Sequence, residues 1–513
     1  MAGAARSRTC VLMVGRTYPR RAWRSPGPRP ARRYRDGIVF TTRRPQRPTT
    51  APVRPLPRAL TAVTALVVLA VGVFVFTWRL GVESSVGDEL VYRDAGAQYV
   101  DGVFTYNLEH PPLAKYLVGL GHLAFGGTLV ADRLPSALLG ILTGGVLFAI
   151  TRRIAGPRAG LLAALLWYVL PLHPGVVEAH VGRQATLEMP LLFFVACALW
   201  AAQALLDRAT WWRWAWLGVA VGAATATKLT GASVAVVTLA LLWRHRATPG
   251  RALGGAVLAG SVAVAVFLAT YLPFGAEGPD AVRTVVQWQL DHAGRGAVQH
   301  VAGVNHAFPP WWSAWWFQAQ YLTWAGVVAL WGLALLGVVA ARRAGLVVAT
   351  ALAGFTLALV ASPLKLPQYH DVWMPPLVVG AAVALHRLVT GSSGSRVVAT
   401  AAGLVLLALA GQQGLNVATT APADYRLVGA ELRRLPAGSV VVSWADTGAL
   451  QRYAPDLVYI GGTVPDCTAA ALVVDTTIAD RIPGADAAEW AAQCGASPRG
   501  FQRMQVLIPS RAS

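Results

Sequence analysis

The chain has 513 residues, of which 55% are hydrophobic and only 13% charged, with 19 tryptophans and a formal net charge of +20. A soluble protein needs about a quarter of its residues charged to cover its surface. The shortfall excludes a string of soluble domains and predicts a polytopic α-helical membrane protein.

Residues 1–57 hold 14 arginines against one acid, Asp36, so +13 of the charge sits there. This segment is rich in Pro, Ser, Thr and Gly and has no apolar stretch long enough for a secretory signal. It reads as a disordered cytoplasmic tail that fixes the N-terminus inside. Basic charge without a fold or interleaved aromatics is not a nucleic-acid footprint, and no nucleic-acid partner is expected.

A spanning helix needs about 20 mostly apolar residues. Candidates in chain order are 59–78, 134–150, 158–172, 187–206, 214–227, 230–243, 253–273, 321–340, 345–361, 371–388 and 397–416, about eleven transmembrane helices in the lipid bilayer. Merging 214–227 with 230–243 would reverse everything downstream, and charge decides against it. With eleven spans the short inner connections carry 3, 2, 3, 2 and 2 Lys/Arg, while the short outer turns carry one each: Arg183, Lys228 and Lys365. That asymmetry is the expected orientation signal.

Two outer loops are long, about 79–133 and 274–320. In the first, Pro111 and Pro112 precede a helical pattern over 113–125. In the second, Trp311, Trp312, Trp315 and Trp316 suit anchoring at a membrane–water boundary. The transmembrane domain thus covers 58–418. Residues 419–513 change character and predict a small extracytoplasmic α/β domain, with helices over 424–435 and 487–493 and strands over 439–444, 457–460, 471–476 and 505–508. Its Cys467 and Cys494 would lie in an oxidising compartment, where pairing is expected. Cys10 and Cys197 have no chemical role in this reading.

Ionisable groups near spans are costly and mark function. Asp88, Glu89, Glu109, His110, Lys115, His180, Arg183, Glu188, Lys228, Lys365 and His370 all gather on the outer face, and they include all three lysines of the chain. A transporter or lipid flippase accounts for the spans, but would more often place such groups at the midplane. A ring of cations and carboxylates at one face suggests a reaction on a membrane-bound anion.

Asp88-Glu89 after the first span, followed by Asn107-Leu-Glu-His-Pro-Pro-Leu-Ala-Lys-Tyr116, resembles the first outer loop of the protein O-mannosyltransferases. With the bacterial aminoarabinose transferases, these belong to the GT-C class using polyprenyl-phosphate sugars. Gly182-Arg-Gln-Ala-Thr-Leu-Glu-Met-Pro190 resembles the family's Arg…Asp-x-Pro span, with Glu188 standing where the family has Asp. Ala224-Thr-Ala-Thr-Lys-Leu-Thr-Gly231 resembles its Ser-Lys-Trp-Thr-Gly segment, and Asn305-His-Ala-Phe-Pro-Pro-Trp-Trp-Ser313 its Trp-rich outer loop. Lys365-Leu-Pro-Gln-Tyr369, followed by Pro375, is closer to the aminoarabinose transferases. The resemblance spans about 59–390.

It implies transfer of a sugar, mannose first, from a polyprenyl-phosphate carrier to an extracytoplasmic acceptor: a protein hydroxyl, a lipid or a cell-wall glycan. The donor is already activated, so no nucleotide-binding loop is needed. A carboxylate must take the acceptor's proton as it attacks the anomeric carbon, and cations must hold the departing phosphate. Asp88 is the expected base, with Glu89 orienting it or touching the acceptor. Arg183 is the leading phosphate ligand by bidentate geometry, with Lys228 and Lys365 behind it. Glu109, His110, Lys115, Glu188 and Tyr369 are the remaining substrate-binding candidates. Glu109 aligns with a metal-binding carboxylate of the aminoarabinose transferases, with His180 as partner, but two scattered ligands fall short of a zinc site. No metal or other cofactor is expected.

Overall fold

The structure is a computed structural model describing residues 58–510 apart from 83, 86, 172–180, 420, 464 and 477–485. The basic tail expected over 1–57 and His180 lie outside the described residues. Helix α1 (Arg58–Thr77) is followed by the short helices α2 (Asp88–Val100) and α3 (Leu113–Phe125), then α4 (Leu129–Ala155), α5 (Pro157–Val169), α6 (Glu188–Asp207) and α7 (Trp211–Thr227). A 3-10 stretch, Leu229–Val236, leads into α8 (Val237–Arg244) and α9 (Pro249–Ala269). Next come the amphipathic α10 (Gly278–Arg295), a hairpin of β1 (Gln299–Val301) and β2 (Val304–His306), and then α11 (Ser313–Ala341), α12 (Leu346–Ala361), α13 (Met374–Val389) and α14 (Ser393–Thr419).

Every apolar segment read from the sequence falls on a helix. Among the described residues seven helical stretches are long and apolar enough to cross a membrane, and α5 and Leu229–Arg244 are shorter apolar helices. The chain is an integral membrane protein. The separation of 214–227 from 230–243 is real in the backbone: α7 stops at Lys228 and the chain turns back so closely that a Cβ on Gly231 would meet the Ala224 carbonyl at 2.2 Å.

Local chemistry sets the boundaries. Thr128 caps α4 by accepting the Ala131 N–H, and Gly156 at φ 93° breaks α4 from α5 just before Pro157. Helix α11 begins well before the apolar stretch at 321–340 and kinks at Thr323 (φ 56°), so one element carries Trp315 and Trp316 of the loop and a span. Trp315 is therefore not an interface anchor. Its ring centroid lies 4.8 Å from the fully buried Trp373 and 5.9 Å from Trp331. Trp311 is exposed, as anchoring requires.

Apolar side chains gain nothing by leaving lipid for one another, so close backbone approach carries the helix packing. Gly218 and Gly222 of α7 meet the backbone of α9 at Ala259 and Ala263. Gly337 of α11 lies so near α13 that an added Cβ would fall 1.8 Å from the Gly380 carbonyl.

After α14 the chain forms α15 (Tyr425–Leu432), β3 (Val440–Trp444), α16 (Thr447–Tyr453), β4 (Val458–Gly461), β5 (Ala471–Asp475), α17 (Ala487–Cys494), β6 (Ala496–Phe501) and β7 (Met504–Pro509). The sheet order is β4-β3-β5-β7-β6, parallel across the first three strands and antiparallel across the last three. The six elements read from the sequence are present, and α16 and β6 are additional. β6 is an edge strand whose Pro498 and Gly500 break the β pattern, which an edge tolerates. Cys467 and Cys494 are joined in a disulfide.

This domain packs on the segment between α1 and α2. Leu90 of α2 belongs to the apolar cluster of Ala423, Tyr425, Val428 and Leu450. The Tyr425 N–H donates to Ser84 Oγ, and Arg452 pairs with Asp94 at 2.7 Å.

Candidate functional site

Adjacent residues on a helix point about 100° apart, and this splits the Asp88-Glu89 pair. Asp88, the first residue of α2, is exposed. Enclosure by the surrounding protein, then the charge of Glu188, raise its carboxyl above the usual range; Lys228 pulls the other way, and Glu109 and Asp446 add to the rise. Glu89 points inward. Both its oxygens lie 2.7 Å from the Arg133 guanidinium, and it accepts the Ala185 N–H at 2.8 Å. Glu89 is 1% exposed, and its partners are Arg133 and the Ala185 amide. It ties the first loop to α4 and to the turn before α6.

Arg183 is also corrected. Its guanidinium donates to the carbonyls of Val75 and Trp78 at 2.6 and 2.5 Å, at the end of α1. These are orphan carbonyls of a helix C-terminus, which a cation satisfies well. The side chain is a buried clamp on α1 and does not present a bidentate grip for phosphate.

Lys115 is fully buried and donates to the carbonyls of Asn107 and His110. Burial pushes its ammonium down to about 7, against the pull of Glu109. It braces the loop. His110 is buried as well. Its Nδ1 lies 3.1 Å from Gln289 Nε2 of α10, whose amide also donates to the Glu109 carbonyl at 2.9 Å. Burial first, then Lys228, Lys115 and His292, hold its imidazole well below the usual histidine range. It positions the loop that carries Glu109. Lys365, mostly buried, donates to the Ser362 carbonyl and stays behind the site.

What the fold does bring together is Glu188, Lys228 and Tyr369. Lys228, released from the helix where α7 ends, lies 2.9 Å from Glu188 Oε1, and its ammonium sits 4.6 Å from the centroid of the Tyr369 ring. The three line a cavity of about 180 Å³ whose other walls include Leu191, Leu192, Phe355, Leu359 and Val372. A water occupies ~30 Å³, so this space admits a group of several heavy atoms. With Lys228 and a largely apolar lining, it suits an anionic head on an apolar tail. Asp88 and Glu109 lie within electrostatic reach of the cluster.

One residue of the cavity was missed in the sequence: Asp371. It is 1% exposed and neither carboxylate oxygen is hydrogen-bonded, with His370 Nε2 at 3.4 Å from Oδ1. An acid inside an otherwise apolar helical stretch is itself a signal, obscured here by its place beside the Lys365–Tyr369 motif.

The fold is that of a polytopic helical membrane protein with a small C-terminal sheet, and it is similar to solved structures of GT-C type. Residues 109–272 match the family Dolichyl-phosphate-mannose-protein mannosyltransferase. The chain is 37% identical over 92 residues to the polyprenol-phosphate-mannose–protein mannosyltransferase of Corynebacterium glutamicum, covering 18% of this chain and 17% of that protein. It is 31% identical over 221 residues to the undecaprenyl phosphate-alpha-4-amino-4-deoxy-L-arabinose arabinosyl transferase of Pseudomonas savastanoi pv. phaseolicola, covering 42% and 38%. Each match thus spans well under two thirds of the relative's length. In structure the chain is similar to ArnT from Cupriavidus metallidurans in the apo state, with a TM-score of 0.54 at 18% identity over 88% of this chain and 97% of that one. The same enzyme bound to undecaprenyl phosphate gives 0.53 at 17% identity, with the same coverage.

Proposed function

We propose that this protein is an inverting glycosyltransferase that moves a sugar from a polyprenyl-phosphate carrier to an acceptor on the extracytoplasmic side. The observation that carries the reading is Lys228 in a largely apolar-walled cavity, with Asp88 within electrostatic reach of it. An ammonium has three N–H donors. Glu188 takes one, and the donor phosphate takes the others while its isoprenoid runs along Leu191, Phe355 and Leu359. Asp88 accepts the acceptor's hydroxyl proton as the oxygen attacks the anomeric carbon on the face opposite the phosphate. The glycosidic C–O bond breaks, its electron pair leaves with the phosphate, and Lys228 stabilises the growing charge. Arg183 and Lys365 serve structure in this scheme, and Tyr369 packs against the lysine.

Mannose is the proposed sugar, because the matched region 109–272 contains His110, Lys228 and Glu188 and bears the mannosyltransferase description. The acceptor is a protein hydroxyl, a lipid or a cell-wall glycan. The N-terminus is proposed to be cytoplasmic and the C-terminal domain extracytoplasmic, which the disulfide supports. Purified full-length protein in nanodiscs, given radiolabelled polyprenyl-phosphate mannose and envelope acceptors, should form a product of inverted anomeric configuration. Undiminished transfer by Asp88→Asn, or a retained configuration, would refute the mechanism.

A further inference from the structure

The candidate base does not stand alone at the start of α2, and what holds it comes from the far end of the chain. Gly87 makes the turn into the helix with φ 54° and ψ −135°, a conformation that residues with a Cβ avoid. Its N–H donates at 2.8 Å to Oδ2 of Asp446, a residue 359 positions away in the C-terminal domain. The other oxygen, Oδ1, accepts the Ala449 N–H at 2.7 Å and so caps α16. The N–H of Asp446 itself donates to the Tyr425 hydroxyl at 3.0 Å. One carboxylate therefore joins two helix N-termini, where negative charge is favoured; two hydrogen bonds fix its direction, and a third holds its backbone.

Resting on the transfer reaction proposed above, we propose that Asp446 is a positioning residue for it: by holding the Gly87 amide it sets the direction of Asp88, and the C-terminal domain is thereby part of the catalytic unit. Other contacts anchor the domain without touching this turn, notably Arg452 on Asp94 and Tyr425 on Ser84. Charge gives a second link. The groups facing Asp88 are Glu188 of α6, Lys228 after α7, Glu109 before α3 and Asp446 before α16, and the negative charge of Asp446 favours the protonated form of Asp88.

The test compares Asp446→Asn, Asp446→Ser and Arg452→Ala in the full chain in nanodiscs with radiolabelled polyprenyl-phosphate mannose. Misplacing a reacting group by about 1 Å costs up to about 100-fold in rate. Asp446→Asn should therefore lower kcat by about 10- to 100-fold with KM for the donor unchanged, and shift the acidic limb of the pH–rate profile to lower pH. Arg452→Ala should do neither. Asp446→Ser keeps an N-cap acceptor but cannot reach Gly87, and stands in if the asparagine variant fails to fold. Carbodiimide modification of Asp88 across pH, read by mass spectrometry, needs no turnover, and its midpoint should fall in both Asp446 variants. An unmoved midpoint with wild-type kcat, or an Arg452→Ala loss equal to that of Asp446→Asn, would overturn the assignment. If the wild type transfers no sugar, the transfer reading fails, while the Asp88 midpoint still decides the role of Asp446.

Discussion

Glu89 and Arg133 form a bidentate ion pair, both contacts at 2.7 Å, in which neither side chain is more than 1% exposed. Removing one partner of such a pair leaves a buried charge uncompensated and costs about 3–5 kcal/mol. Glu89→Ala should therefore lower the thermal midpoint of the detergent-solubilised protein strongly. A midpoint within error of wild type would mean that the pair does not hold the loop.

Asp88→Asn should behave in the opposite way. The side chain is exposed, so folding should be unaffected, while loss of a general base should lower transfer by about 10²–10⁴-fold. Parallel melting curves and initial rates with the lipid-linked donor separate the two residues. A variant that loses stability and rate together would place Asp88 with Glu89 as a structural acid.

The pH profile should carry the mark of Glu188. Asp88 must be ionised to accept a proton, and its carboxyl is raised, so activity should fall, as the pH drops, at a point above the ordinary aspartate value of about 3.9. Glu188→Gln removes a charge that raises Asp88 and leaves the pull of Lys228 uncompensated. The acidic limb of kcat/KM should move to lower pH. An upward shift, or none, would contradict the coupling.

Gly337→Ala should force α11 away from α13, since the new methyl would overlap the Gly380 carbonyl. Overpacking typically costs about 1–3 kcal/mol. Gly332→Ala on the same helix meets nothing within 4 Å and is the control. Equal melting points for the two variants would show that the helices do not pack through this glycine.

The disulfide Cys467–Cys494 spans 27 residues, and closing a loop of that size is worth roughly 3–4 kcal/mol in the chain-entropy account. Reduction should raise hydrogen exchange in β5 and α17 while leaving the helix bundle protected. Unchanged exchange in the domain would show that its core is sufficient alone.

The membrane character, the helical segments and the break at Lys228 were legible in the sequence, because apolar length and basic flanks are local properties. Asp88, Glu188 and Lys228 stood out in the sequence as rare charges beside apolar segments, and the fold sets Lys228 on Glu188. For Arg183 and Lys115 the sequence left the partner open. A cation near a span end looks the same in sequence whether it meets a substrate or satisfies carbonyls of its own chain, and here Val75, Trp78, Asn107 and His110 supply those carbonyls.

By itself the amino-acid order determined where lipid-compatible segments begin and end, and which rare charges had to find partners beside them. Only the tertiary structure decided which partner each charge found. Helical rotation turns Asp88 outward and Glu89 to Arg133, and chain reversal at Lys228 sets its ammonium on Glu188. Docking of the last domain brings Asp446 to Gly87, a contact between residues 359 positions apart that no local pattern encodes. Pairing energies at such distances depend on geometry, and geometry exists only once the chain has packed.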